Sequence, residues 1–453
     1  MVYKIAFYGD DFTGSTDALE TLEEMGLHTM LFTEMPSAEQ LAAYPDIQAF
    51  GVAGMTRTMA SDELQQELEQ VFVQMAQIKI RHVHYKVCST FDSSAHVGSI
   101  GRAIDVGAAA FASRLVPLVV GAPYLGRYCV FGNLFARMGT GLIGEVFRLD
   151  RHPSMAKHPV TPAQESDLRL HLAKQTKKVS RLIDVTQLEQ TTEEIAEQLH
   201  PEDNDVQIAL FDVMTEQHLV KIGAVLDRIT QHQQLLFSVG SSAVSKALCA
   251  AWKEAGELRP KLNWPSISAA KSLLVLSGSG SVVTGKQIDY AIRQGFVAVA
   301  LDGEKLLSDQ ASAHLQQIIE EVLLAMRQGK SVVVHTSIGP DDPRISKTRQ
   351  VLGRQGLDGL AVNRYTASLY GKALAAVADQ VAQVISLERI VIAGGDTSSL
   401  FARHLGIEAV EMIAPIVPGA PLCRIHAQKD YLDGVSINFK GGQVGDLNYF
   451  TIL

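Results

Sequence analysis

IVIAGGDTSSLFARHL, residues 390–405, sets the architecture of this chain. Residues 390–393 read as a buried strand. Gly394 and Gly395 turn it, Asp396, Thr397, Ser398 and Ser399 follow, and a helical pattern runs to Leu405. A strand that turns through glycines into a helix aims backbone N–H groups out of the turn. With the positive end of the helix dipole behind them, those groups suit a phosphate. Asp396 adds a carboxylate where a phosphate-bound Mg²⁺ can sit. The same turn also occurs in α/β proteins that bind nothing there, so its weight depends on recurrence.

It recurs twice upstream. Residues 271–276 form an apolar strand entering Ser277, Gly278, Ser279, Gly280 and Ser281, and residues 331–336 form another ending in Thr336, Ser337, Ile338 and Gly339. Glycine lets the backbone approach a polyphosphate, and Ser and Thr donate from short side chains. Neither a P-loop nor a dinucleotide fingerprint is present: GxxxxGK[ST] is absent, and the third glycine is missing after Gly278 and Gly280. Residues 417–421 and 440–442, which include Gly442, add glycines that can wall a nucleotide. The tail, 434–453, reads as a hairpin around its glycines. The alternative for the three turns is ordinary capped strand–helix connections.

The first half shows strand–turn–helix units as well. Asp10 and Asp11 follow the first strand, with Thr13 in the same turn. Thr56 and Arg57 follow the third strand. Lys86, Ser89, Thr90, Asp92 and Ser93 cluster at the end of the fourth, and Arg127 follows the fifth. A parallel sheet brings all of these to one edge. Three carboxylates, three cations and several hydroxyls suit a small polyhydroxylated anion. An Asp beside a hydroxyl can also accept its proton during phosphoryl transfer. Each residue has a plainer reading: Asp10 and Asp11 can simply cap a helix, Lys86 can lie on the surface, and the arginines can be solvated or ion-paired. His82 and His84 alternate on one strand and read as structural. Residues 131–162 lose periodicity and form a long irregular stretch. Its histidines lack ligand spacing, so no metal site is expected there.

The predicted fold is α/β, with two domains that each hold a mainly parallel sheet flanked by helices. Their bounds are 1–253 and 269–453, joined by a polar, proline-containing linker at 254–268, with the active site in the cleft between them. The 453 residues suffice for two sizeable cores, and the composition, 47% hydrophobic and 20% charged, is that of a globular protein. A net charge of −9 argues against nucleic-acid and membrane-surface partners. Four scattered cysteines offer no zinc or disulfide pattern. The N-terminus runs straight into a strand, and no apolar run is long enough to span a membrane. The expected location is the cytoplasm.

In order and spacing, Asp10 to Gly14, Lys86 to Ser93, Ser277 to Ser281 and Ala393 to Ser398 resemble the four-carbon acid sugar kinases, over nearly the whole chain. That resemblance implies an N-terminal domain for a sugar acid and a C-terminal domain for ATP with Mg²⁺. It implies transfer of the γ-phosphoryl group to a terminal hydroxyl of a tetronate or 3-oxo-tetronate. By position, Asp10, Asp11, Arg57, Lys86 and Asp92 would hold the acid; Ser277 to Ser281, Gly394 to Thr397 and the Gly442 region would hold ATP. Three stretches depart from the usual family pattern: 51–59, where an Asn-Ser-Arg run is common; the interior of 123–127; and Lys440-Gly441-Gly442-Gln443-Val444-Gly445 in place of Lys-Ser-Gly-Asn-Phe-Gly. The first two leave the exact substrate open, with a branched or oxo sugar acid among the candidates. A homodimer is the assembly allowed for.

Two other functions compete. A non-catalytic two-domain binding protein would gain nothing from adjacent carboxylates beside an anion, where like charges cost affinity. An enzyme using a dinucleotide would need the fingerprint this chain lacks.

Overall fold

The computed structural model describes residues 2–138, 143–158, 160–199, 205–231 and 235–453. The chain divides into two compact units, one of Met1–Met30 and Met35–Leu262, the other of Leu31–Glu34 and Asn263–Leu453. The second unit thus takes in four residues from early in the chain. Within it, Thr33 donates from its backbone to Glu408 O at 3.0 Å and from Oγ1 to Ile407 O at 2.7 Å.

In the first unit the strands run in the order Ala49–Ala53, Tyr3–Gly9, Ile80–Lys86, Leu236–Gly240, Val116–Val119, Ile208–Phe211 and Ser180–Ile183, every neighbour parallel. Most of these strands are buried along nearly their whole length, as a helix-covered parallel sheet requires, while Ser180–Ile183 at the edge is largely half-buried. An aromatic cluster fills one layer: Phe72 lies 6.2 Å from Tyr8, 6.3 Å from Tyr85 and 5.6 Å from Phe237 between ring centroids. The register puts Gly9 opposite both Ala53 and Lys86, and Lys86 opposite Gly240. The carboxyl ends of four strands are therefore level, and the turns after them emerge side by side.

The second unit repeats the plan. Val297–Ala300, Val332–His335, Leu274–Ser277, Arg389–Ala393 and Ser436–Lys440 are parallel neighbours in that order, and Ala420–His426 and Ala409–Val417 add antiparallel strands. Ser277 faces His335 on one side and Ala393 on the other, and Ala393 faces Lys440.

Two local expectations are corrected. The tail is not a hairpin around its glycines. Ser436–Lys440 pairs parallel with Arg389–Ala393, and the Gly441-Gly442 pair sits past its end. The hairpin is formed instead by Ala409–Val417 and Ala420–His426, turning at Gly419 with φ +81°. Nor is 131–162 wholly irregular. Arg127–Val130, Asn133–Arg137 and Val146–Arg148 make a small antiparallel sheet, while 139–142 and 159 lie outside the described residues. Its first turn places Phe131 and Gly132 at positive φ, the two-residue hairpin geometry that matches strand twist. Buried Asp212 holds that turn by accepting from Phe131 N at 2.6 Å and Gly132 N at 2.9 Å. Among the described residues, no helix is long and apolar enough to cross a membrane.

Candidate active site

The strand-end cluster of the first unit is a buried charge network. Asp10 and Asp11 are 3% and 4% exposed. Arg57 stands in a 3₁₀ turn, Thr56–Thr58, pinned by its own backbone N–H to Asp10 O at 3.0 Å. Its guanidinium spans both carboxylates. Nη1 donates to Asp11 Oδ2 at 2.6 Å, Nη2 to Asp10 Oδ1 at 2.7 Å and Asp11 Oδ1 at 2.9 Å, and Nε to Asp10 Oδ2 at 3.2 Å. Lys86 is buried too and pairs with Asp17 on the first helix at 3.1 Å. Gly14 is small of necessity: a Cβ there would stand 2.5 Å from Asp11 Oδ1 and 2.9 Å from Lys86 Nζ.

The two aspartates are not equivalent. Asp11 caps the helix Phe12–Glu24, accepting from Gly14 N at 2.7 Å and Thr13 Oγ1 at 2.8 Å besides Arg57. Burial pushes its carboxyl up, but Arg57, Lys86 and these bonds outweigh burial and hold it below the ordinary carboxylate value. Asp10 accepts from Arg57 alone among the described hydrogen bonds. Burial, reinforced by the neighbouring Asp11 charge, raises its carboxyl above the ordinary value despite Arg57. Capping, the plainer reading of the pair, thus describes Asp11 and leaves Asp10 over.

Thr13 spends its hydroxyl on Asp11. Thr90 Oγ1 lies 2.9 Å from Cys88 Sγ, and Ser89 is partly exposed in the same turn. Asp92 lines a small pocket with Thr90, Phe91, Ser93 and His171, and its Oδ1 is buried without a hydrogen-bond partner. Arg127 Nη1 donates to Leu125 O at 2.5 Å, and its Nε is buried without a hydrogen-bond partner. His82 and His84 are buried in the sheet and held down to about 3 by desolvation, neutral at any working pH. Sequence reading missed Asp17 and His171. His171 Nε2 lies 2.9 Å from Ser93 Oγ, and desolvation holds its ring down to about 4. The only local signal for Asp17 was an acid on the helix that Asp11 starts.

In the second unit the glycine turns converge. A Cβ at Gly278 would stand 2.4 Å from Thr397 Oγ1, and one at Gly442 3.0 Å from Ser279 Oγ. Gly394, at φ +123°, opens the helix Gly395–Leu405, and no side chain caps it. Ser337 Oγ donates to Ser279 O at 3.2 Å, so the 336–339 turn joins the same group. Ser281 caps the helix Val282–Arg293 through Thr284 N and also donates to Gly442 O. Gly280 lies beside Ile345 and Ser337, and Gly395 begins the uncapped helix. Three helix-start turns and the 440–442 turn thus meet at one sheet edge, an arrangement whose backbone N–H groups suit a polyphosphate. Asp396 is exposed in the first turn of the uncapped helix. Among the described residues, no three His, Cys, Asp or Glu gather as a metal cage. A single exposed carboxylate beside a phosphate site suits Mg²⁺, which is commonly held by one or two carboxylates plus substrate phosphates.

Gly278→Ala is expected to weaken ATP binding about tenfold or more, since its Cβ must displace Thr397 or open the turn. Calorimetry should show acid binding unchanged. Wild-type ATP affinity in that variant would take the 277–281 turn out of the nucleotide site.

Residues 5–248 match the family described as sugar-binding N-terminal domain, and residues 274–450 the one described as nucleotide-binding C-terminal domain. A 3-oxo-isoapionate kinase of Paraburkholderia graminis is 39% identical over 452 residues, covering 99% of this chain and 93% of that protein. A 3-oxo-tetronate kinase of Pectobacterium atrosepticum is 25% identical over 451 residues, covering 99% and 98%. A crystal structure of a Salmonella typhimurium protein shares the fold, with TM-score 0.73 at 23% identity over 100% of this chain and 98% of the other. So does one from Haemophilus influenzae, with TM-score 0.70 at 21% identity over 99% and 98%.

Proposed function

From the premise that the chain belongs to the four-carbon acid sugar kinase family, we propose that it phosphorylates a hydroxyl of a 3-oxo sugar acid, with 3-oxo-isoapionate preferred over 3-oxo-tetronate. It is an ATP-dependent sugar-acid kinase. The preference is supported by the higher identity to the 3-oxo-isoapionate kinase, 39% against 25%. The observation that carries the mechanism is the buried Asp10–Arg57–Asp11 network at the strand ends of the first unit.

Arg57 and Lys86 attract the carboxylate of the acid, and Asp92 and the Ser89–Ser93 turn bond its hydroxyls. Asp10 is the base. Its raised affinity for a proton and its few competing bonds let it accept the proton of the attacking hydroxyl, while Asp11 holds Arg57 and the helix start. The Gly and Ser turns of the second unit cradle the triphosphate through backbone N–H groups. Asp396 is the residue that would hold Mg²⁺, which supplies charge neutralisation on the phosphates when bound. Phosphoryl transfer requires the acid held by the first unit and the nucleotide held by the second to meet during turnover.

An ADP-release screen across 3-oxo-isoapionate, 3-oxo-tetronates and reduced tetronates tests this. The expected result is turnover on the 3-oxo acids, with the highest kcat/KM on 3-oxo-isoapionate. A higher kcat/KM on a tetronate would overturn the preference, and ATP binding with no turnover on any acid would overturn the proposed acceptor class.

A further inference from the structure

The second unit contains a buried cation that no carboxylate balances among the described residues. Lys440 ends the strand Ser436–Lys440 and is fully buried. Its Nζ donates to Thr284 Oγ1 at 3.0 Å and to Gly441 O at 2.9 Å, both neutral oxygens, and lies 5.6 Å from the ring centre of Tyr449. An ammonium has three N–H donors, so one remains without an oxygen acceptor among the described residues. Taking a charge out of water without a counter-charge is unfavourable, so such a group gives up its proton more readily unless an opposite charge joins it, and it marks a candidate functional site.

The position identifies that ligand. Lys440 is level with Ala393, and Gly394 N donates to Lys440 O at 2.9 Å, so the lysine adjoins the start of the uncapped helix. Thr284, which takes one Nζ bond, donates to Gly442 O at 2.8 Å, within the Ser281–Gly442 contact. The ammonium therefore stands directly behind the convergent glycine turns. Apart from Lys440 itself, those turns offer N–H groups and hydroxyls and no side-chain cation.

We propose that Lys440 is the cation of the nucleotide site, donating its third N–H to a phosphate oxygen of ATP. This rests on the assignment of the second unit to ATP. Desolvation, which holds the ammonium down to about 7, agrees with a group whose charge awaits a partner.

Lys440→Met and Lys440→Gln test it by calorimetry with ATP and with adenosine. Both variants are expected to bind ATP at least about tenfold more weakly, the worth of a charged hydrogen bond, and adenosine equally well. Gln keeps a donor without the charge, so its loss of affinity assigns the effect to charge. Thermal melting should show neither variant less stable, since each removes an unbalanced buried charge. A wild-type protein that binds ATP beside variants of equal affinity would overturn the role of Lys440 alone. A wild-type protein that does not bind ATP would overturn the nucleotide assignment with it. Should the variants fail to fold, an acyl-phosphate derivative of ATP on the wild-type protein decides. The Lys440 amine is expected to attack the acyl carbon and release ATP, with excess ATP protecting it. Labelling confined to other lysines would overturn the proposal.

Discussion

Asp10→Asn is expected to lower kcat by about two orders of magnitude or more, the usual worth of a positioned general base. The change is nearly isosteric and leaves Arg57 its two bonds to Asp11. KM for the acid should therefore move much less than kcat. The pH dependence has a definite sign. A base works only when deprotonated, and burial raises the Asp10 carboxyl above the ordinary carboxylate range. The acid limb of kcat/KM in the wild type should accordingly lie above that range, with activity falling as pH drops through it, and the limb should vanish in the variant. Asp11→Asn makes the contrast. It can still accept from Gly14 N but loses the charge that holds Arg57, so a loss of stability should accompany its loss of rate. Near-normal turnover by Asp10→Asn would remove Asp10 from the role of base. Loss of the acid limb in Asp11→Asn alone would transfer that role.

The second large effect is on stability. Arg57→Met should destabilise the first unit by about 3–5 kcal/mol at neutral pH, the cost of removing one partner from a buried ion pair. Asp10 and Asp11 would then face each other, nearly fully buried, without the guanidinium that neutralises both. In that variant both carboxyls are expected to hold protons more tightly folded than unfolded. A group of that kind stabilises the folded state at pH values below its unfolded pKa and loses that contribution as pH rises through the folded pKa. The deficit relative to wild type should therefore shrink as pH falls toward the ordinary carboxylate range. Urea melts at several pH values measure it directly. A deficit that stayed constant or grew on acidification would show that packing around Arg57, not its charge, sets the cost. Acid binding should be lost at every pH.

The residues 390–405 carried the architecture because every part of that signal is local. An apolar run of strand length, a glycine pair and a helical pattern each act through their own backbone, and three copies at one spacing imply a parallel sheet with its turns at one edge. Asp10, Arg57 and Lys86 could be grouped by the same logic, since each follows a strand. Which of them touch could not be read that way. Arg57 reaches Asp10 because Ala49–Ala53 and Ile80–Lys86 flank Tyr3–Gly9 in level register. Strand order and register arise from packing across the whole unit. Arg127 follows a strand too, but it opens the small antiparallel sheet, and its Nη1 bonds Leu125 O, a contact no local pattern announces. Gly441-Gly442 looked like a hairpin turn because glycine pairs serve hairpins and close approaches alike, and only the neighbouring Ser279 distinguishes the two. The sequence by itself determined the strand–turn–helix repeat and the residue types at the strand ends. Only packing across each unit decided the unequal environments of Asp10 and Asp11 and the burial of Lys440 with no counter-charge among the described residues. Desolvation and ion pairing depend on which distant side chains share a volume, and no local pattern records that.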